Sequence, residues 1–210
     1  IKGEKVLNSS KYNDLATNGL FKFSDTFIKN YLPYTIELGR SFVQPNYQPS
    51  SGNKKAIFSL DNLWDGLGAL VVDHPEVKYF FGKVTMYLDY NKKGRDLILT
   101  FINHFFKDSQ QLITPKKPLS LHHDTKYFVD EIKNLEYKEA YKLLNKLLKS
   151  YETAIPPLIA AYMNLSSSMK SFGTVLNNNF GDVEETGILI SIDDIYTQKK
   201  DRHINTYKVN

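Results

Sequence analysis

The chain has 210 residues, 41% of them apolar and 24% charged, which suits one generous globular domain and excludes a disordered, collagen-like or disulfide-stapled chain. It has no cysteine, which removes disulfides, a thiol nucleophile and Cys-ligated zinc and fits a reducing compartment. The net charge of +4 is below that of a dedicated nucleic-acid binder but suits contact with acidic partners: phosphates, an acidic carrier protein or an anionic membrane surface.

Helical and strand periods alternate along the chain, an α/β or α+β pattern. Residues 1–7 read as the end of a strand. Asn18-Gly19 marks a turn, residues 20–23 form a short apolar piece, and Ser24-Asp25 caps a short helix to Asn30. Residues 34–43 are rich in β-formers and end before Pro45, so they read as a strand, followed by a loop over 44–53. Ile57, Leu60, Leu63, Trp64, Leu67, Leu70 and Val71 define a helix over 54–72, ended by His74-Pro75. A strand over 77–87 and an amphipathic helix over 92–106 follow. Residues 114–121 carry two prolines and read as an extended connector. A helix over 137–151 turns Ala140, Tyr141, Leu144, Leu147 and Leu148 inward and Lys138, Lys142, Lys146 and Lys149 to the other side, as a solvated face. Pro156-Pro157 opens a short helix to Leu165. Strands over 169–176 and 187–192 flank the turn at 177–181, an antiparallel hairpin. No apolar run approaches the ~18 residues of a membrane span. The reading is one domain over 1–210. Ile1 follows no Met or leader, so a missing segment ahead of it is allowed for.

Several catalytic signatures are absent. There is no Gly-x-x-x-x-Gly-Lys-Ser/Thr phosphate loop and no Gly-x-Ser-x-Gly elbow. Gly66-Leu67-Gly68 falls inside a helix, where small residues let another element pack close. His122-His123-Asp124 lacks a second ligand cluster and reads as a hydrogen-bonded surface pair, not a metal site. The 14 Tyr, 13 Phe and single Trp64 read first as core and surface, and second as a greasy groove for a lipid-like ligand.

The densest stretch is Glu37-Leu38-Gly39-Arg40-Ser41-Phe42-Val43, followed by Pro45 and Tyr47. Burying Glu37 and Arg40 in a strand is costly unless they pair or meet a ligand. A bulge at Leu38-Gly39 brings both onto one face. The alternative is a structural ion pair at a sheet edge.

This block, then Leu63-Trp64-Asp65-Gly66-Leu67-Gly68 and Tyr79-Phe80-Phe81-Gly82-Lys83-Val84, resembles the bacterial GNAT-type N-acyltransferases that make acylated amino acids. That family includes ornithine-lipid and glycine-lipid synthases, and many members carry a hemolysin label. The Glu-x-x-Arg pattern is also similar to that of acyl-homoserine-lactone synthases. Looser matches are residues 101–108, Pro115 to Pro118, and Ile155-Pro156-Pro157-Leu158-Ile159 with Tyr162.

The resemblance implies a GNAT-like mixed, mostly antiparallel sheet flanked by helices on both faces. The strand carrying Glu37 splays from the strand over 77–87, and the pantetheine arm of the donor lies between them. It implies Glu37 as the base, and Arg40 as anchor of the acceptor's carboxylate or of Glu37. Main-chain groups of Ser41, Phe42 and Val43 would serve the oxyanion and donor. Gly52, Lys54 and Lys55 would meet the donor's phosphate. Residues 48–53 are a faint version of the family's phosphate turn, which favours acyl carrier protein over coenzyme A. Asn177 and Asn179 stand where an acid is expected. No metal and no permanently bound cofactor are implied; acyl-ACP or acyl-CoA is a co-substrate. Expected partners are acyl carrier protein and a small amine or amino acid, with peripheral contact to an anionic membrane and no nucleic acid. The expected place is the cytoplasm, at most against the inner membrane face. The rivals are a non-catalytic binder of acyl chains or carrier protein, and a membrane-lytic protein.

Overall fold

The computed structural model describes residues 2–3, 15–39, 44–47 and 59–207, the side chains of 59–61 excepted. Six strands form two sheets among these residues. The main sheet has the order β2 (Thr35–Glu37), β3 (Tyr79–Tyr87), β6 (Val183–Ser191), β5 (Lys170–Asn177). β2 and β3 are parallel, and the other two pairings are antiparallel. A smaller antiparallel ribbon joins β1 (Phe21–Phe23) to β4 (Ile113–Pro115). This is the mixed, mostly antiparallel sheet with flanking helices that the resemblance implies.

The two faces of the sheet carry separate cores. Phe80, Val84 and Met86 alternate along β3 toward the larger one. There they meet α2 (Ser59–Asp73), α3 (Lys92–Phe106), α4 (Lys126–Ile132), α5 (Tyr137–Ser150) and α6 (Pro157–Met163). Phe81, Leu189, Phe172 and Val175 face the other way, under Phe21, Ile113 and Phe27 of the ribbon and α1 (Asp25–Asn30). α7 (Thr197–His203) packs on α2.

Local chemistry explains the elements that match expectation. The Ser24 side chain accepts from Phe27 N–H at the start of α1, and Asn91 accepts from Gly94 N–H at the start of α3. Gly181 adopts φ +72° in the hairpin turn, a conformation glycine takes without penalty. Gly68 is the close-packing residue: a Cβ there would lie 1.7 Å from the His203 carbonyl oxygen of α7. The aromatic residues are largely core. Trp64 meets Tyr162 edge-on at 5.2 Å, and burial pushes the Tyr162 hydroxyl up to about 12.

Three differences are instructive. The second hairpin strand begins at Val183, not residue 187, because the polar run Glu184-Glu185-Thr186 is buried with partners on both faces. The connector over 114–121 starts as β4 and continues as an edge contact, with Pro118 bridged to Val175. Of the strand expected over 34–43, residues 34–39 are described, and only Thr35–Glu37 among them form a strand, since Tyr34 ends a 3-10 turn. Lys2 bridges Ile36 antiparallel, on the edge of β2 away from β3.

Candidate active site

Glu37 closes β2 opposite Phe81 of β3 and points to the face of the smaller core. It is 6% exposed. The turn that begins at Leu15 reverses the chain, with Asn18 N–H bonded to the Leu15 carbonyl. This aims main-chain donors at the carboxylate. Oε2 accepts from Ala16 N–H at 2.9 Å. Oε1 accepts from Thr17 N–H at 3.0 Å and from the Thr17 hydroxyl at 2.6 Å. Glu37 is therefore held in one orientation by a segment twenty residues upstream in the chain.

The pairing of β2 with β3 reaches Leu38, whose N–H donates to the Phe81 carbonyl at 2.7 Å. Beyond it β3 runs on to Tyr87. Gly82 lets the Leu38 carbonyl pass close by: a Cβ there would be 3.1 Å from that oxygen. Main-chain groups alternate sides along a strand. Phe81 bonds toward β2, and Lys78 accepts from Ile192 on the β6 side. The N–H and C=O of Lys83 and Thr85 hence face the β2 side, where they have no partner among the described residues. Among the described residues, β3 thus has an unpaired edge immediately past Glu37.

On the same face as Glu37, Lys83 Nζ lies 2.5 and 2.6 Å from the two carboxylate oxygens of Glu185. Asn177 Nδ2 donates to Glu185 Oε2 at 2.6 Å. The Lys83 side chain retains 17% exposure and that of Glu185 only 1%. The exposed Phe180 ring lies over Lys83 Nζ at 5.3 Å.

The opposite face carries a second charged cluster, at the start of α3. Arg95 Nε donates to Glu184 Oε2 and Nη1 to Asp96 Oδ1, both at 2.6 Å. Burial lowers the Arg95 pKa, and the two carboxylates outweigh it and raise the value. Burial likewise works to raise Asp96, but Arg95 and His123 hold it below the usual carboxylate range. Asp96 Oδ2 accepts the backbone N–H of His122 and His123 at 2.9 and 2.8 Å and lies 2.9 Å from the His123 ring. The His122-His123 pair is thus hydrogen-bonded, as its sequence suggests. No group of three or more His, Asp or Glu among the described residues is arranged to hold a metal ion. A cleft of about 370 Å³, lined by Tyr31, Tyr79, Lys107 and Lys170, lies at the far end of the sheet, where β3 begins.

Of the residues singled out from the sequence, Glu37 stands at the end of β2, opposite Phe81. Arg40, Ser41, Phe42, Val43, Gly52, Lys54 and Lys55 lie outside the described residues. Asn177, flagged as the replacement of an acid, binds Glu185 and caps the turn through Asn179 N–H. Sequence reasoning missed Glu185 and gave Lys83 no role of its own. The available signal was two adjacent acids between a turn and an apolar run, inside what proves to be one strand.

No family model matches the chain, and no solved structure matches it. Among curated proteins, a glycine N(alpha)-acyltransferase of Phocaeicola vulgatus is 53% identical over 193 residues, 92% of this chain and 59% of the relative. A glycine N(alpha)-acyltransferase of Bacteroides thetaiotaomicron is 53% identical over 197 residues, 92% of this chain and 57% of the relative. The chain spans under three fifths of the length of either relative, and it is similar to both along nearly all of its own length.

Proposed function

We propose that the protein is an N-acyltransferase that moves a fatty acyl group from a thioester donor to the amine of a small amino acid, glycine by similarity to its relatives. The observation that carries this reading is the parallel β2–β3 pair whose pairing is described as far as Leu38, with buried, fixed Glu37 at the end of β2. The edge of β3 that has no partner among the described residues suits an extended pantetheine arm, which takes main-chain hydrogen bonds as an added strand does. The similarity at 53% identity supports the same activity.

In this reading Glu37 takes a proton from the acceptor's ammonium, directly or through one water. The freed amine attacks the thioester carbonyl carbon, and a tetrahedral oxyanion forms. Main-chain N–H groups of Ser41 and Phe42 serve the oxyanion, and Val43 continues the donor edge. Collapse breaks the C–S bond, the attacking nitrogen gives its second proton to solvent, and the proton held by Glu37 goes to the leaving thiolate. Arg40 holds the acceptor's carboxylate or Glu37. Gly52, Lys54 and Lys55 meet the donor's phosphate. Acyl carrier protein is the preferred donor, because the turn over 48–53 is a poor phosphate cradle by sequence and an acidic carrier suits a basic chain. The product is an N-acyl amino acid, a lipid or its precursor, made on the cytoplasmic side.

The test is mass spectrometry of N-acylglycine made by the intact protein from acyl-ACP or acyl-CoA. Glu37→Gln is expected to cut turnover by about 10²- to 10⁴-fold while donor binding persists. Donor binding without any product from the wild type would make the protein a non-catalytic acyl-thioester binder.

A further inference from the structure

The Lys83–Glu185 pair has no part in the mechanism above, yet it lies on the face that Glu37 presents. Glu37 is opposite Phe81 in the parallel register, and Lys83 is two residues further along the same strand. Strand spacings put the two Cα atoms on the order of 8 Å apart, with both side chains on one side of the sheet. One carries a carboxylate and the other an ammonium.

The pair is asymmetric. Both oxygens of Glu185 are engaged by Lys83, and one also by Asn177, in a side chain that is 1% exposed. An ammonium has three N–H donors. Glu185 takes two, and no acceptor for the third is found among the described residues. The Lys83 side chain stays partly open, with Phe180 over it as an exposed apolar wall. A structural ion pair seals both partners. Here the anion is sealed, and the cation keeps one donor without an acceptor among the described residues. Asn177 adds a further donor to the anion, which fixes the carboxylate that holds the lysine.

We infer that Lys83, held by Glu185 and Asn177, is the binding residue for the acceptor's carboxylate, which leaves to Arg40 the second of its two proposed roles, holding Glu37. This inference rests on the proposed N-acyltransferase reading and adds a specificity element to it. An α-amino acid carries its ammonium and carboxylate on one carbon, and the face of the β2–β3 pair offers Glu37 to the first and Lys83 to the second. The selected substrate class is therefore the small amino acid, over a simple amine of equal size. Glu185 and Asn177 are positioning residues that act through Lys83.

The test compares glycine with glycinamide, which keeps the amine and lacks the anionic carboxylate, as acceptors for the intact protein. Removing one charge-assisted hydrogen bond in Lys83→Met is expected to raise KM for glycine about 10- to 100-fold, with kcat much less affected. With glycinamide the difference between variant and wild type is expected to shrink to under about threefold, since the lost contact is one glycinamide does not make. Lys83→Arg is expected to recover part of the glycine KM. Because Lys83→Met leaves Glu185 buried without its partner, the double variant Lys83→Met/Glu185→Met is measured beside it. It removes both charges and is expected to show the same acceptor-dependent KM split. A glycine KM unchanged in either folded variant, or an equal loss with both acceptors, overturns the inference while the acyltransferase reading stands. A wild-type protein that acylates no amine overturns the reading and the inference together.

Discussion

Arg95 and Asp96 are adjacent in sequence and pair side by side where α3 begins, with Asp96 fully buried. Arg95 Nη2 is buried without a partner among the described residues. The cluster is tolerated because Glu184, Ser120 and the 122–123 backbone satisfy most of the remaining groups. Asp96 is held below its ordinary pKa. Its contribution to stability is therefore complete above the unfolded-chain value of about 3.9 and is lost as pH falls through the lower folded value. Asp96→Asn is expected to cost about 3 kcal/mol at neutral pH, by leaving Arg95 incompletely paired. It is also expected to flatten the acid side of the stability profile; urea unfolding at pH 7 and pH 3 checks both. The same residue scale shows what a sequence conceals. Glu37 stood out because an acid, a glycine and an arginine shared one predicted strand. Lys83 and Glu185 are 102 residues apart, and only the β3–β6 register brings them together.

At the scale of elements, capped and amphipathic segments were legible. Helix α3 spans Lys92–Phe106 as its periodicity predicts, and α1 starts at its Ser24 cap. Helices α4 and α7 were not, since seven residues hold too few turns for a period to emerge and α7 has little apolar content. The glycine pair in α2 separates packing from propensity. Gly66 has nothing within 4 Å of a would-be Cβ, whereas Gly68 meets the His203 carbonyl. Gly66→Ala is expected to stabilise the protein by roughly 0.5–1 kcal/mol through helix propensity. Gly68→Ala is expected to destabilise it by about 2 kcal/mol, because the α7 backbone must move. Opposite shifts in Tm for two alanines two positions apart would confirm the α2–α7 contact; equal shifts would refute it.

For the whole molecule, one sheet separates two cores and two charge clusters. The Arg95–Asp96–Glu184 cluster sits on the face of the larger core and ties the 120–123 segment to α3 and β6. The Lys83–Glu185 pair sits on the other face, beside Glu37. The architecture was readable because strand and helix periods alternate cleanly. The arrangement of charges between faces was not, because alternation within β6 puts neighbours Glu184 and Glu185 on opposite sides of the sheet.

The edge of β3 that is unpaired among the described residues also makes that strand a reporter of its own occupancy. Its even-numbered amides bond to β6, while those of Lys83 and Thr85 have no partner among the described residues. In hydrogen–deuterium exchange without ligand, protection along β3 is expected to alternate: slow at Gly82, Val84 and Met86, fast at Lys83 and Thr85. A bound acyl-thioester arm would slow those two amides and leave their neighbours unchanged. One strand would then record the arrival of the donor, residue by residue, before any acceptor is present.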